Sequence, residues 1–185
     1  MAKEGILGDT TGLPLGLKKG TAYLKILAID PGTATTGYGL IYANNNNLQP
    51  VDFGVISTKA CEEDCLRLET IYDSILQLVK DHKPDCLIAE QLFFNTNSKT
   101  AISVGQARGA IMLAAAKGKV SFFEYTPLQV KQSVCGYGRA DKQQIAKMVK
   151  LILKMEELPK PDDAADALAL AICHANNKLC LVHGY

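Results

Sequence analysis

The stretch Leu24-Lys-Ile-Leu-Ala-Ile-Asp30, followed at once by Pro31-Gly32, decides the fold. The apolar run has no helix cap before it and a Pro-Gly breaker after it, a pattern that predicts a buried strand. Because alternate side chains of a strand share a face, Asp30 continues the face of Ile26 and Ala28 to the strand end. A carboxylate there needs water, a hydrogen bond or a cation, so Asp30 is either a metal ligand or the cap of the Pro-Gly turn.

A second predicted strand ends in the same way. The run Asp85-Cys-Leu-Ile-Ala-Glu90 follows Pro84 and is again an apolar segment that finishes on a carboxylate. Between the two runs the sequence predicts two strands and a helix, over Gly37–Ala43, Val51–Thr58 and Asp64–His82. Since a helix separates them, the two runs can lie parallel, which would place Asp30 and Glu90 at the same sheet edge.

The rest of the chain completes a five-stranded mixed α/β sheet, an antiparallel meander plus parallel strands, flanked by helices. Its predicted elements are a helix over Ala101–Gly118, a strand over Val120–Tyr125, and helices over Pro127–Val134, Asp141–Lys154 and Asp162–Asn176. In the first of these helices, Gly105 and Gly109 are four residues apart on one face. Small residues at that spacing allow close packing, either on the sheet or on a second subunit.

Composition favours a single domain and an intracellular setting. The 185 residues are 48% hydrophobic and 21% charged, which suits one domain over 21–178, with a leader at 1–20 and a short tail at 179–185. A net charge of +1 requires any nucleic-acid surface to be local. The six cysteines form no CxxC pair, so we expect reduced thiols. No run approaches the ~18 apolar residues of a membrane span, and we expect a cytoplasmic protein.

Four carboxylates form the candidate site. Asp163 and Asp166 are three residues apart and share one face of the last predicted helix, whereas we interpret Asp162 as a helix cap. With Asp30 and Glu90 they make an all-oxygen set without a histidine or cysteine cluster, which favours Mg²⁺ or Mn²⁺. Two such ions about 4 Å apart can activate water and stabilise an in-line phosphoryl displacement.

From about residue 24 to residue 176, the sequence resembles the RuvC-type bacterial Holliday junction resolvases, which belong to the ribonuclease H-like superfamily. The segments that carry the resemblance are Ile29-Asp-Pro-Gly-Thr33, Gly37-Tyr-Gly39, Glu90-Gln-Leu-Phe93, Gly105-Gln-Ala-Arg-Gly109, Val130-Lys-Gln132 and Asp163-Ala-Ala-Asp-Ala-Leu-Ala169. The resemblance implies a crossover junction endodeoxyribonuclease that resolves four-way DNA junctions. Cleavage would proceed by paired, symmetric, metal-dependent hydrolysis during recombination and repair.

The resemblance also implies roles for residues and partners. The catalytic acids would hold two Mg²⁺ ions, with Mn²⁺ as a substitute, and they match Asp30, Glu90, Asp163 and Asp166. Phe93 would stack on a base at the crossover, although the adjacent Phe94 could be the exposed ring instead. Lys131 and Lys142 would contact DNA, and Arg139 stands near them but fits the family pattern less closely. The implied partners are a second copy of the chain, in a homodimer, and the branch-migration proteins RuvA and RuvB.

Three other functions fit parts of the sequence. An actin-like or sugar-kinase ATPase shares the Asp-x-Gly-Thr loop but needs a second lobe and further phosphate loops, which these 185 residues do not contain. A related nuclease that processes ribosomal RNA precursors has similar acids, but the Gln-Ala-Arg-Gly and Val-Lys-Gln segments favour the resolvase. A junction-binding module that no longer cuts would not need the intact acid set. Departures from the family, a longer leader and no basic tail, affect only auxiliary contacts.

Overall fold

A five-stranded sheet organises the computed structural model, which describes residues 23–44, 47–91 and 98–183. The strands are β1 (Leu24–Asp30), β2 (Thr35–Asn44), β3 (Asn47–Ser57), β4 (Cys86–Glu90) and β5 (Ser121–Tyr125). Their order is β3-β2-β1-β4-β5. The first three strands pair antiparallel, whereas β4 runs parallel to both β1 and β5. The predicted mixed sheet is therefore confirmed.

Within these ranges, five helices cover the sheet. They are α1 (Asp64–His82), α2 (Ser98–Gly118), α3 (Pro127–Cys135), α4 (Lys142–Ile152) and α5 (Asp162–His183). None of the helices within the described ranges is long and apolar enough to cross a membrane. All five predicted helices are present, and the largest difference from the prediction lies at the end of α5.

The predicted end of α5 at Asn176 was wrong, because the helix continues to His183. The two asparagines at this point form hydrogen bonds that leave the helix intact. The Asn177 amide donates to the Cys173 carbonyl oxygen of its own helix at 2.9 Å, and the Asn176 amide donates to the Ser133 carbonyl oxygen at 3.3 Å. Part of the segment expected as a tail is thus helical, while the leader 1–20 lies outside the described residues.

The two faces of the sheet bury different helices, and β1 contributes to both cores. Its Leu27 and Ile29 belong to the core formed with α1 and α2. Its Ile26 and Ala28 belong to the core formed with α3, α4 and α5. Since Asp30 follows Ile26 and Ala28 in alternation, its side chain lies on the face that α5 covers.

Hydrogen-bonded caps fix the starts of α3 and α4. The Thr126 side chain accepts from the Gln129 backbone N–H, and the Gln129 side chain accepts from the Thr126 N–H. Asp141 and Gln144 form the same reciprocal arrangement at α4, so Asp141 caps the helix that it was expected to begin. Because a capping box satisfies donors that a helix leaves open, it defines where each helix begins. Because Lys131 lies in α3 and Lys142 begins α4, these caps help to determine where the two lysines lie.

Candidate active site

Three of the four predicted acids line one cleft. Asp30 ends β1 and Glu90 ends β4, and because these strands are parallel neighbours their carboxyl ends meet at one sheet edge. Asp166, from the second turn of α5, faces the same cleft of about 330 Å³. The expected convergence of Asp30 and Glu90 is present in the structure. The cleft is also lined by Pro127, Val130, Lys131, Lys142, Ile145, Ala169 and Leu170.

Asp163 lies at the rim of the cleft. It lines an adjoining depression with Lys142 and Lys160, and its charge contributes to raising the pKa of Asp30. Within the described ranges, no three histidine, cysteine, aspartate or glutamate side chains are close enough together to form a metal-ligating group. The structure therefore places three of the acids in the cleft and Asp163 at its rim, without a preformed metal cage in the described residues.

Two glycines of β2 allow α5 to lie directly on the sheet. A Cβ atom on Gly37 would stand 2.0 Å from the Asp163 carbonyl oxygen, and one on Gly39 would stand 2.8 Å from the Leu168 backbone nitrogen. Gly37 is also the register partner of Asp30. The Gly-Tyr-Gly segment therefore sets the distance between the acids of α5 and the acid of β1, a role that we did not derive from the sequence.

Burial and mutual repulsion disfavour the charged forms of the acids. The pKa of Asp30 rises to about 7 through burial first and then through the charges of Glu90, Asp166 and Asp163, while Lys142 opposes the rise. The pKa of Glu90 is also raised, by burial and then by Asp166. A divalent cation would relieve the same repulsion. The donor set, composed of carboxylate oxygens, therefore fits a hard divalent ion.

The predicted basic residues occupy different places. The Lys142 Nζ lies 3.1 Å from the Asp166 Oδ2, and this contact is the main cause that raises the pKa of the lysine. Lys131 lines the cleft, and its charge lowers the pKa of Glu90. Arg139 is exposed on the turn between α3 and α4 and does not line the cleft. Phe93, with its alternative Phe94, lies outside the described residues.

The structure shows two further polar contacts near the site that the sequence analysis did not identify. The Arg108 Nε donates to the Glu124 Oε1 at 2.8 Å, which ties α2 to β5. Buried His174 lies 3.0 Å, through its Nδ1, from the Tyr125 hydroxyl oxygen. Arg108 appeared in the sequence only as part of a motif, and the one available signal for His174 was a histidine within an apolar helical run.

We expect Asp30→Asn to stabilise the protein in chelator, and to do so mainly at alkaline pH. Because folding raises the pKa of Asp30 from 3.8 to about 7, the stability that its protonation provides is complete below 3.8 and is lost as pH rises through about 7. Asparagine carries no charge, so its advantage should be several kcal/mol near pH 8 and less than about 1 kcal/mol near pH 4. Urea unfolding at both pH values measures the difference. An advantage independent of pH would contradict this account.

Comparison with known proteins identifies chains that are similar to this one in sequence and in structure. The family model for the crossover junction endodeoxyribonuclease RuvC matches residues 26–174. The RuvC of Caldanaerobacter subterraneus subsp. tengcongensis is 50% identical over 158 residues, which cover 84% of this chain and 96% of the relative. That of Desulfitobacterium hafniense is 56% identical over 152 residues, covering 82% and 92%. A solved structure of Thermus thermophilus RuvC in complex with Holliday junction substrate aligns with a TM-score of 0.80 and 32% identity, covering 84% and 95%.

Proposed function

The chain belongs to the RuvC family of crossover junction endodeoxyribonucleases, and on this premise we propose that it cuts four-way DNA junctions at the cleft between β1, β4 and α5. The observation that carries the proposal is that Asp30, Glu90 and Asp166, drawn from three separate elements, line one cleft with two lysines. The reaction is the paired hydrolysis of phosphodiesters during recombination and repair.

We assign the catalytic role to Asp30, Glu90, Asp163 and Asp166. The family is one of metal-dependent nucleases, and we propose two Mg²⁺ ions here, replaceable by Mn²⁺, because carboxylate oxygens suit these ions. When bound, the ions supply an activated water and stabilise the charge that develops on the phosphate. The parallel pairing of β1 and β4 places the backbone of Asp30 beside that of Glu90, so both carboxylates can reach the same ions.

The basic residues of α3 and α4 suit the DNA backbone. Lys131 and Lys142 line the same cleft as the acids, so their ammonium groups can attract a phosphodiester to it. Arg139, exposed on the neighbouring turn, extends this basic surface. We further propose Phe93 as the ring that stacks on a base at the crossover, on the strength of the sequence resemblance alone.

An exposed apolar stripe on α2 suits the homodimer. Ile102, Gly109 and Leu113 follow one another at helical spacing, and Ile102 and Leu113 are 64% and 60% exposed. A methyl group on Gly109 would meet nothing within 4 Å, so this glycine does not face the sheet. We propose that a second copy of the chain covers this stripe. A twofold dimer would present two equivalent sites to a junction, which accounts for paired nicks.

A charged residue in the stripe should separate the dimer. We expect Leu113→Glu to shift sedimentation from dimer to monomer at micromolar protein, because burying an unpaired carboxylate costs several kcal/mol. Leu151→Glu is the matched control, since Leu151 is 68% exposed on α4, outside the stripe. Both variants should keep their circular dichroism spectra. A Leu113→Glu variant that remains dimeric would place the interface elsewhere.

The remaining partners and the location follow from the premise of family membership. We propose that RuvA and RuvB, the branch-migration proteins, act with this nuclease on the same junctions. We place the protein in the cytoplasm, where bacterial chromosomal DNA lies.

The decisive experiment is cleavage of a labelled four-way junction beside matched duplex DNA and structured RNA, with Mg²⁺ and with chelator. Paired nicks that need Mg²⁺ and are confined to the junction support the proposal. Cleavage of RNA alone would indicate a processing nuclease. Junction binding without any cleavage would indicate a binding module.

A further inference from the structure

His174 is a fully buried polar side chain that the proposed chemistry does not use. It lies on α5 among buried apolar residues and is 0% exposed. Its Nδ1 is 3.0 Å from the Tyr125 hydroxyl oxygen, and its Nε2 is 3.5 Å from the Cys86 Sγ. The ring also packs against Phe123, with 4.8 Å between centroids. Because burying an imidazole without hydrogen bonds is unfavourable, these contacts hold the ring in one orientation.

The partner of His174 lies next to the catalytic sheet edge. Tyr125 is the last residue of β5 and the register partner of Glu90. Its carbonyl oxygen accepts a hydrogen bond from the Gln91 backbone N–H at 2.9 Å. One side-chain hydrogen bond therefore connects the strand end beside Glu90 with the helix that carries Asp163 and Asp166.

The two acids of α5 lie on the same helix as this contact. At 1.5 Å per residue, His174 is about 12 Å along the helix axis from Asp166. The first contact of α5 with the sheet is at β2, where Gly37 meets the Asp163 backbone. Buried apolar side chains pack α5 on the sheet beyond that point, and the Tyr125 contact adds a directional hydrogen bond on the other side of β1. Asp166 lies between the two points.

We propose that Tyr125 and His174 form a positioning pair that holds α5 in the orientation in which Asp166 faces Asp30 and Glu90. Neither residue lines the cleft, so both act through the placement of the acids. The inference rests on the proposed function, since it concerns the geometry of the same acids. It predicts that loss of the pair weakens cation binding more than it weakens junction binding.

Tyr125→Phe is the direct test because it removes only the hydroxyl group. We expect the Mg²⁺ concentration for half-maximal cleavage to rise roughly three- to tenfold, in line with the loss of one buried hydrogen bond. Junction affinity in Ca²⁺ should change by less than about twofold, since the basic residues are untouched. Tyr42→Phe is the matched control, a buried tyrosine of β2 that pairs with Lys25 at the opposite end of the sheet. It should leave the Mg²⁺ requirement unchanged.

Two substitutions of His174 show which nitrogen matters. Asparagine can place its amide near the Nδ1 position, toward Tyr125, whereas glutamine reaches the Nε2 position, toward Cys86. We expect His174→Asn to retain more of the wild-type Mg²⁺ requirement than His174→Gln. Titration calorimetry of Mn²⁺ into protein without DNA should rank the variants in the same order, independently of cleavage.

The outcomes separate the inference from the proposed function. If the wild-type protein does not cut the junction, the proposed function fails, whatever the variants do. If the wild type cuts and Tyr125→Phe lowers the unfolding temperature without changing either the Mg²⁺ requirement or Mn²⁺ affinity, the pair is structural and the inference is overturned. Equal effects of His174→Asn and His174→Gln would also contradict the role assigned to Nδ1.

Discussion

Replacing Asp30 with asparagine should lower the rate of junction cleavage by about 10³-fold or more, because a cation at a phosphoryl-transfer site contributes several kcal/mol. The two other acids that line the cleft, Glu90 and Asp166, both raise the pKa of Asp30, and theirs are the largest charge contributions to that rise. Removing the charge of Asp30 should therefore weaken cation binding at the proposed site. Junction affinity should stay within about threefold, because phosphate contacts come from basic side chains. Single-turnover cleavage and gel-shift titration in Ca²⁺ measure the two quantities.

Asp162→Asn is the matched control for this change. Asp162 is exposed in the first turn of α5 and undergoes the same substitution; it lines the adjoining depression with Asp163 but not the cleft itself. It should retain cleavage within about threefold, because its charge does not contribute to the raised pKa of Asp30, whereas that of Asp163 does. Loss of junction binding in Asp30→Asn, or equal loss of cleavage in both variants, would count against a catalytic role for Asp30.

The second large effect is expected from Gly37→Ala. The new methyl carbon would stand 2.0 Å from the Asp163 carbonyl oxygen, which belongs to backbone and cannot rotate away. Either α5 or β2 must move to relieve this overlap between them. We expect a loss of about 3 kcal/mol or more in the free energy of unfolding. Since Gly37 pairs with Asp30, the same displacement separates Asp163 from the acid of β1. Cleavage should fall even in the folded fraction.

Gly54→Ala tests whether the effect belongs to the position. Gly54 lies on β3, and the three atoms nearest to a methyl group there would all belong to the Tyr38 side chain, at 3.0–3.2 Å. An aromatic ring can shift by a few tenths of an ångström, so this variant should lose about 1 kcal/mol and keep its activity. Urea unfolding and cleavage by the folded protein measure both variants. Equal losses in the two variants would contradict the direct packing of α5 on Gly37.

The sequence was sufficient to predict the fold because its signals were local. The two strands that carry the candidate acids, β1 and β4, are apolar runs that end on a carboxylate, and alternation along β1 places Asp30 on the face that α5 covers. The last helix was predicted to end at Asn176, whereas α5 continues to His183. Here the Asn177 amide donates a hydrogen bond to a carbonyl oxygen of its own helix. The Asn176 amide donates to Ser133 of α3, a contact that depends on how the two helices pack.

The candidate site was predictable to the extent that it depends on strand ends. Parallel pairing of β1 and β4 predicts that Asp30 and Glu90 meet at one side of the sheet. The spacing of the acids in α5 predicts that Asp166 shares a helix face with Asp163. The contact between Lys142 and Asp166, the position of Asp163 at the rim and the Tyr125–His174 hydrogen bond depend on how α4 and α5 sit on the sheet. Periodicity shows which face a residue occupies, but it does not show which distant residue meets that face.

The position of β1 in the sheet has a consequence for amide hydrogen exchange. β1 is bonded on both sides, to β2 and to β4, and four of its residues are fully buried. Its amides should therefore exchange only when the whole domain unfolds, whereas those of the edge strands β3 and β5 can exchange through local opening. Asp30 thus ends one of the strands expected to exchange slowly, and fraying at either edge of the sheet leaves its backbone in place.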